Sequence, residues 1–166
     1  MLIDCVRDFA SETELFILGN PDFFKAAKVG RDRVEQAILP IDKTISCGEN
    51  LEELLRNEQC LNLITAFGVG ITVPGAELDL SRLRYQKVFV VTDESEEGKH
   101  IRKEIFRFLR LYMPGLLNSG KIYVPQGALV ADLSQSEFEV KVLSPATRSH
   151  RPVPLDSNFE QAFHDI

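Results

Sequence analysis

Val88-Phe89-Val90-Val91 is the run that most constrains what this chain can fold into. It is continuous, β-branched and aromatic, with no polar residue inside it. That pattern belongs to a central strand covered on both faces, as in a parallel sheet. An acidic loop follows at once: Thr92-Asp93-Glu94-Ser95-Glu96-Glu97-Gly98. Beyond it, Ile101, Ile105, Phe108, Leu109 and Tyr112 fall on one stripe of a helix predicted over 99–113, which Pro114 ends.

The rest of the chain repeats this alternation. Leu15-Phe16-Ile17-Leu18 reads as a buried strand stopped by the turn residues Gly19-Asn20-Pro21. Asp22 is then expected to cap a helix from Phe23 to Val29. Leu51 to Ala66 is helical in pattern, with a break near Asn57, and Ile122-Tyr123-Val124 is a further short strand. Segments 128–133 and 138–143 look like a C-terminal β-hairpin extension around Ser134-Gln135-Ser136-Glu137. The chain has 166 residues, enough for one domain with a full core. The expected organisation is therefore a domain over 1–143 and a polar tail over 144–166. Its fold class is α/β, a mostly parallel sheet flanked by helices. Sites in such sheets form beyond the carboxyl ends of the strands, where the loops after Leu18 and Val91 sit.

Several function classes drop out. No apolar run approaches the roughly 20 residues that span a bilayer, and the N-terminus lacks the pattern of a signal peptide, so the expected address is the cytoplasm, with no membrane partner. The formal net charge of −6 argues against strong, independent DNA binding through phosphates. A local basic cluster, Lys25, Lys28, Arg31 and Arg33, is the exception. Cys5, Cys47 and Cys60 are far apart in sequence, form no metal framework and are expected as buried thiols. No Ser/His/Asp or Cys/His set stands out, and no Gly-rich phosphate loop is present. Tyr112 and Tyr123 are expected in the core or sheet.

Several segments carry a family resemblance. Gly30-Arg31-Asp32-Arg33 precedes Gln36-Ala37-Ile38-Leu39-Pro40, and Leu63-Ile64-Thr65-Ala66-Phe67-Gly68-Val69-Gly70-Ile71 lies further on. Leu83-Arg84-Tyr85, His100-Ile101-Arg102, Met113-Pro114, Gly120-Lys121-Ile122-Tyr123 and Gln126 continue the series, and Leu2 and Asp4-Cys5 extend it backward. In order and spacing these resemble the TOPRIM domain of the type IIA DNA topoisomerases, the gyrase B and topoisomerase IV B family. The resemblance implies the Rossmann-like TOPRIM fold. It also implies magnesium held by carboxylates, which support DNA cleavage by a tyrosine of a partner subunit through two-metal phosphoryl transfer.

The chain departs from the family where that chemistry resides. The family's first motif opens with an essential Glu, and Gly19 stands in its place here. Phe24 and Lys25 replace its paired glycines. The second motif carries three Asp; here Asp93, Ser95 and Glu97 occupy the three positions. Asp93 and Glu97 are the candidate metal ligands, for a magnesium site that is weak or absent. The bland alternative is a solvated acidic loop ahead of a helix, which the helix dipole favours in any case. By the resemblance, Lys28, Arg31, Arg33, His100 and Arg102 are candidate DNA contacts, with a solvated helix face and a structural histidine as alternatives. Phe23 and Phe24 are expected to plug space vacated by the lost site, rather than to contact a partner.

Two readings of function follow. In the first, a degenerate TOPRIM protein without cleavage activity binds a type IIA topoisomerase subunit, gyrase A-like or gyrase B-like, or DNA. In the second, Asp22, Asp93 and Glu97 converge into a rebuilt magnesium site of an ATP-hydrolysing topoisomerase. ATP-driven strand passage is not expected from these residues alone. A homodimer and a purely structural role stay open.

Overall fold

The computed structural model describes residues 1–7, 13–48, 50–72 and 78–124. The expected C-terminal hairpin, Gln126 and the polar tail lie outside the described residues. Within them, strands and helices alternate: β1 (Glu14–Leu18), α1 (Pro21–Gly30), β2 (Gln36–Pro40), α2 (Leu51–Arg56), α3 (Glu58–Phe67), β3 (Lys87–Val91), α4 (Glu96–Tyr112), α5 (Pro114–Leu117) and β4 (Ile122–Tyr123). The strands form one sheet in the order β2-β1-β3-β4, with every pairing parallel. Phe16 lies beside Ile38 on one side and Phe89 on the other, and Phe89 lies beside Tyr123 in turn, which puts β1 and β3 in the interior of the sheet.

Alternation along each strand divides the core in two. Leu15, Ile17, Ala37, Leu39, Val88 and Val90 face α3 and α4, where Leu63, Phe67, Ile101, Ile105, Phe108 and Leu109 complete the larger cluster. Every member of the predicted α4 stripe is buried. Phe16, Leu18, Ile38, Phe89 and Val91 face the other way, onto Ala27 of α1. Phe16 and Phe89 stack at 4.7 Å, and Tyr123 tilts onto Phe89 at 5.3 Å. Each fully buried side chain of this size contributes about 1.5–3 kcal/mol relative to exposure.

The N-terminal residues run antiparallel beside β2. Ile3 and Ile38 exchange two backbone bonds of 2.9 Å, and the amides of Val6 and Arg7 donate to the carbonyls of Arg33 and Val34. Asp4 fastens this segment to the body. Its carboxylate accepts the Tyr85 hydroxyl at 2.8 Å and pairs with the Arg84 guanidinium, which lies over the Tyr85 ring. Burial alone would raise the Asp4 pKa. The Tyr85 hydroxyl, the Arg84 charge and the Cys5 amide outweigh it and hold the pKa below the ordinary value. Tyr85 itself is buried, so Asp4→Ala strands its hydroxyl and is expected to destabilise the chain by about 1–3 kcal/mol in urea unfolding. A carboxylate with a lowered folded pKa adds stability above its unfolded value, and that stability is lost as pH falls through the folded pKa. The stability gap between wild type and Asp4→Asn should therefore be present at neutral pH and close below the ordinary value of 3.8.

Three expectations need correction. Asn20, not Asp22, caps α1: its side chain accepts from the amides of Asp22 and Phe23, and Asp22 sits inside the first turn. α4 begins at Glu96 rather than Lys99, because the Ser95 hydroxyl accepts the Gly98 amide and serves as its cap. β2 has no counterpart among the expected strands; its Ala37-Ile38-Leu39 core is too short for periodicity to register. The break in the 51–66 helix falls at Asn57, which caps α3.

Candidate functional site at the carboxyl ends of the strands

Three loops leave the carboxyl ends of β1, β2 and β3 and meet. The first carries Gly19 and Asn20. The Gly19 amide donates to the Val91 carbonyl at 2.9 Å, which joins this loop to the end of β3. Asn20 then acts with both ends of its amide. Its oxygen caps α1, accepting from Asp22 at 2.8 Å and Phe23 at 3.4 Å. Its nitrogen donates to Asp93 Oδ2 at 2.6 Å. Pro21 at the first helical position supplies a preset φ and lacks only an amide that the helix would leave unbonded.

The third loop folds on itself around Asp93. Oδ1 accepts both the Ser95 amide, at 3.1 Å, and the Ser95 hydroxyl. The Ser95 oxygen in turn accepts the Gly98 amide at 3.0 Å. Arg102 Nη2 donates to the Asp93 carbonyl at 3.3 Å and to Glu94 Oε1 at 2.9 Å. Burial pushes the Asp93 pKa upward, but the Ser95 hydroxyl, the Asn20 amide, the Ser95 amide and the Arg102 charge together hold it below its ordinary value. Asp93 is thus ionised at neutral pH, with donors on both oxygens.

The other predicted residues lie as follows. A Cβ at Gly19 would meet Thr92 Cγ2 at 2.8 Å and Ile101 Cγ2 at 3.2 Å, so the space a side chain would take there is filled. Phe23 and Phe24 instead pack half-buried on the second face of the sheet, so Thr92 and Ile101 are what plug position 19. Glu97 is half exposed in the first turn of α4, and its carboxylate lies 3.9 Å from Lys43 Nζ in the loop after β2. Asp22 is exposed and pairs with Lys25 at 2.9 Å. Among the described residues, no three His, Cys, Asp or Glu side chains gather as a metal ion would require.

Of the basic candidates, Lys28, Arg33 and His100 are exposed. Arg31 donates to the carbonyls of Asp4, at 3.0 Å, and Gln36, which ties the N-terminal segment to β2. The Arg102 side chain is only 16% exposed and is bonded into the acidic loop, so reaching a phosphate would require breaking those bonds. Sequence reasoning missed Asn20 and Lys43. A signal for Asn20 was present, since Asn ahead of a proline that opens a helix is a capping pattern. Nothing local marks Lys43; only the parallel topology brings it to this end of the sheet.

Comparison with known proteins places this geometry in context. The Toprim domain model matches residues 14–126. The B subunit of DNA gyrase from Streptococcus pneumoniae is 40% identical over 127 residues, covering 75% of this chain and 19% of the relative. Its counterpart from Campylobacter jejuni, also a DNA gyrase B protein, is 39% identical over 130 residues, covering 77% of this chain and 16% of the relative. The Helicobacter pylori gyrase B protein is 38% identical over the same length, with the same coverage. The chain thus spans less than a fifth of the length of these relatives.

Proposed function

Because the chain belongs to the Toprim domain family of type IIA DNA topoisomerases, we propose that it serves DNA topology as a binding module that does not cut DNA. Its partner on this reading is a topoisomerase subunit, gyrase A-like or gyrase B-like, or DNA held by one. The observation that carries the reading is the state of Asp93. Both of its oxygens already accept bonds from Asn20 and Ser95, and position 19 nearby has no side chain and is crowded by Thr92 and Ile101.

Hard divalent cations need several oxygen ligands converging on one point. One bonded carboxylate at Asp93, a capping hydroxyl at Ser95 and an exposed Glu97 lying 3.9 Å from Lys43 do not fit a cation pair. Nor is a residue placed to carry a proton where Gly19 stands, a loss that commonly lowers a rate about 10²- to 10⁴-fold. The exposed Lys28 and Arg33 and the half-buried Arg31 support contact with phosphates through charge.

The chain mixed with a gyrase A subunit, magnesium and supercoiled plasmid is expected to yield no nicked or linear product. Cleavage that recurs, and that Asp93→Ala abolishes, would defeat the proposal. Titration of labelled chain with gyrase A, gyrase B and duplex DNA tests the binding half: saturable affinity for at least one supports it, and none for all three defeats it.

A further inference from the structure

We propose that Cys47 and Cys60 form a redox-active dithiol, which a small hydroperoxide oxidises to an intramolecular disulfide. The fold brings together two residues thirteen positions apart, with their sulfurs 3.4 Å from each other and both side chains fully buried. A disulfide bond is about 2.05 Å long, so the sulfurs need to close by roughly 1.3 Å.

The surroundings make the two thiols unequal. Cys60 is the third residue of α3, where the positive end of the helix dipole favours a thiolate. The contact with Cys47 pulls its pKa in the same direction, against burial and the Glu104 carboxylate, which push it up. Cys47 is held the other way by that same contact, by burial and by the carboxylate of Glu104. Glu104 is itself buried; its carboxylate accepts the Cys47 amide at 3.1 Å, and its carbonyl accepts the Cys47 thiol at 3.3 Å. Its place in the first turn of α3 makes Cys60 the nucleophile, and Cys47, bonded to the Glu104 carbonyl, is the thiol that resolves the intermediate. Cys5 contrasts with both. It is half exposed, but burial and the neighbouring Asp4 carboxylate push its pKa up and keep it protonated.

The Cys60 thiolate attacks one oxygen of the hydroperoxide and breaks the O–O bond. This forms a sulfenic acid on Cys60 and an alkoxide or hydroxide, which takes a proton and leaves as alcohol or water. The Cys47 sulfur then attacks the sulfenic sulfur. The S–S bond forms, and the departing hydroxide takes the Cys47 proton as water. Two thiols are oxidised and one hydroperoxide is reduced.

Both thiols are buried, so the proposal requires a local opening, and the segment between them that contains α2 is the one assigned to it. This helix has six residues and buries only Leu54, and Gly48 before it adopts a left-handed φ of 54°. A segment anchored so lightly opens locally at low free-energy cost. Once formed, the disulfide fastens the stretch containing α2 to the start of α3.

The test treats the full chain with hydrogen peroxide, blocks remaining thiols and digests with trypsin without reduction. Cleavage after Lys43 and Arg56 separates the two cysteines. The expected product is the peptide 44–56 linked to the peptide that begins at Asn57, lost on reduction with dithiothreitol. Recovery of both peptides unlinked and alkylated would overturn the proposal, as would cross-linking confined to Cys5. In Cys47→Ser, Cys60 should be trapped by dimedone as the sulfenic acid. Should that variant not fold, the wild-type peptide map decides alone. Oxidised wild type should also show a higher Tm and slower amide exchange across α2 than reduced wild type.

Discussion

Gly98→Ala is expected to destabilise the chain by about 3 kcal/mol, the upper part of the range for forcing an atom into packed structure. Helix propensity alone predicts the opposite sign, since alanine is favoured over glycine inside a helix by about 1 kcal/mol. Geometry decides between the two. A Cβ at Gly98 would lie 2.2 Å from Asp93 Oδ1 and 2.3 Å from the Asp93 carbonyl oxygen. No rotamer change relieves contact with a carbonyl of the main chain, so either α4 loses its first turn or the loop after β3 moves. Moving the loop breaks the bonds from Ser95 to Asp93 and from Gly98 to Ser95 together. The chain has no tryptophan, so circular dichroism in urea is the measurement. A variant as stable as wild type would show that the turn is looser than this geometry requires.

Gly19→Ala tests the filled space at the other side of the site, with an expected loss of about 1–3 kcal/mol. Here the obstacle is the end of a short side chain, Thr92 Cγ2 at 2.8 Å, backed by Ile101 Cγ2 at 3.2 Å. Thr92→Ser removes that methyl. The double variant Gly19→Ala/Thr92→Ser should therefore recover part of the stability, with a coupling of roughly 0.5–3 kcal/mol in a double-mutant cycle. The same logic extends to Gly19→Glu. Even with Thr92→Ser to make room, it is expected to give no plasmid cleavage, because Asp93 stays bonded to Asn20 and Ser95. Additive single effects would remove the steric account, and cleavage by the Glu variant would show that one side chain suffices.

How far these residues could be anticipated depends on how local their cause is. β3 and α4 were legible because a continuous apolar run and a five-residue stripe each carry their own period. β2 was not, because its buried Gln36 and three short apolar residues owe their strand state to pairing with β1, a contact distant in sequence. In the site, that position 19 is a glycine and position 95 a serine could be read directly from the sequence. That Asn20 bonds to Asp93 could not, since the two are 73 positions apart. The cysteines show the same limit. Their spacing in the sequence suggests three unrelated thiols, whereas packing of α3 beside the segment ahead of α2 sets two of them in contact.

The segment from Ile3 to Arg7 has a bearing on solubility. By bonding along β2, it occupies main-chain groups that would otherwise be free to recruit a strand from another molecule. Arg31 reinforces it by gripping the Asp4 carbonyl. Molecules lacking these few residues would leave the Ile38 amide and carbonyl unpaired on an edge strand, open to a strand from a second molecule.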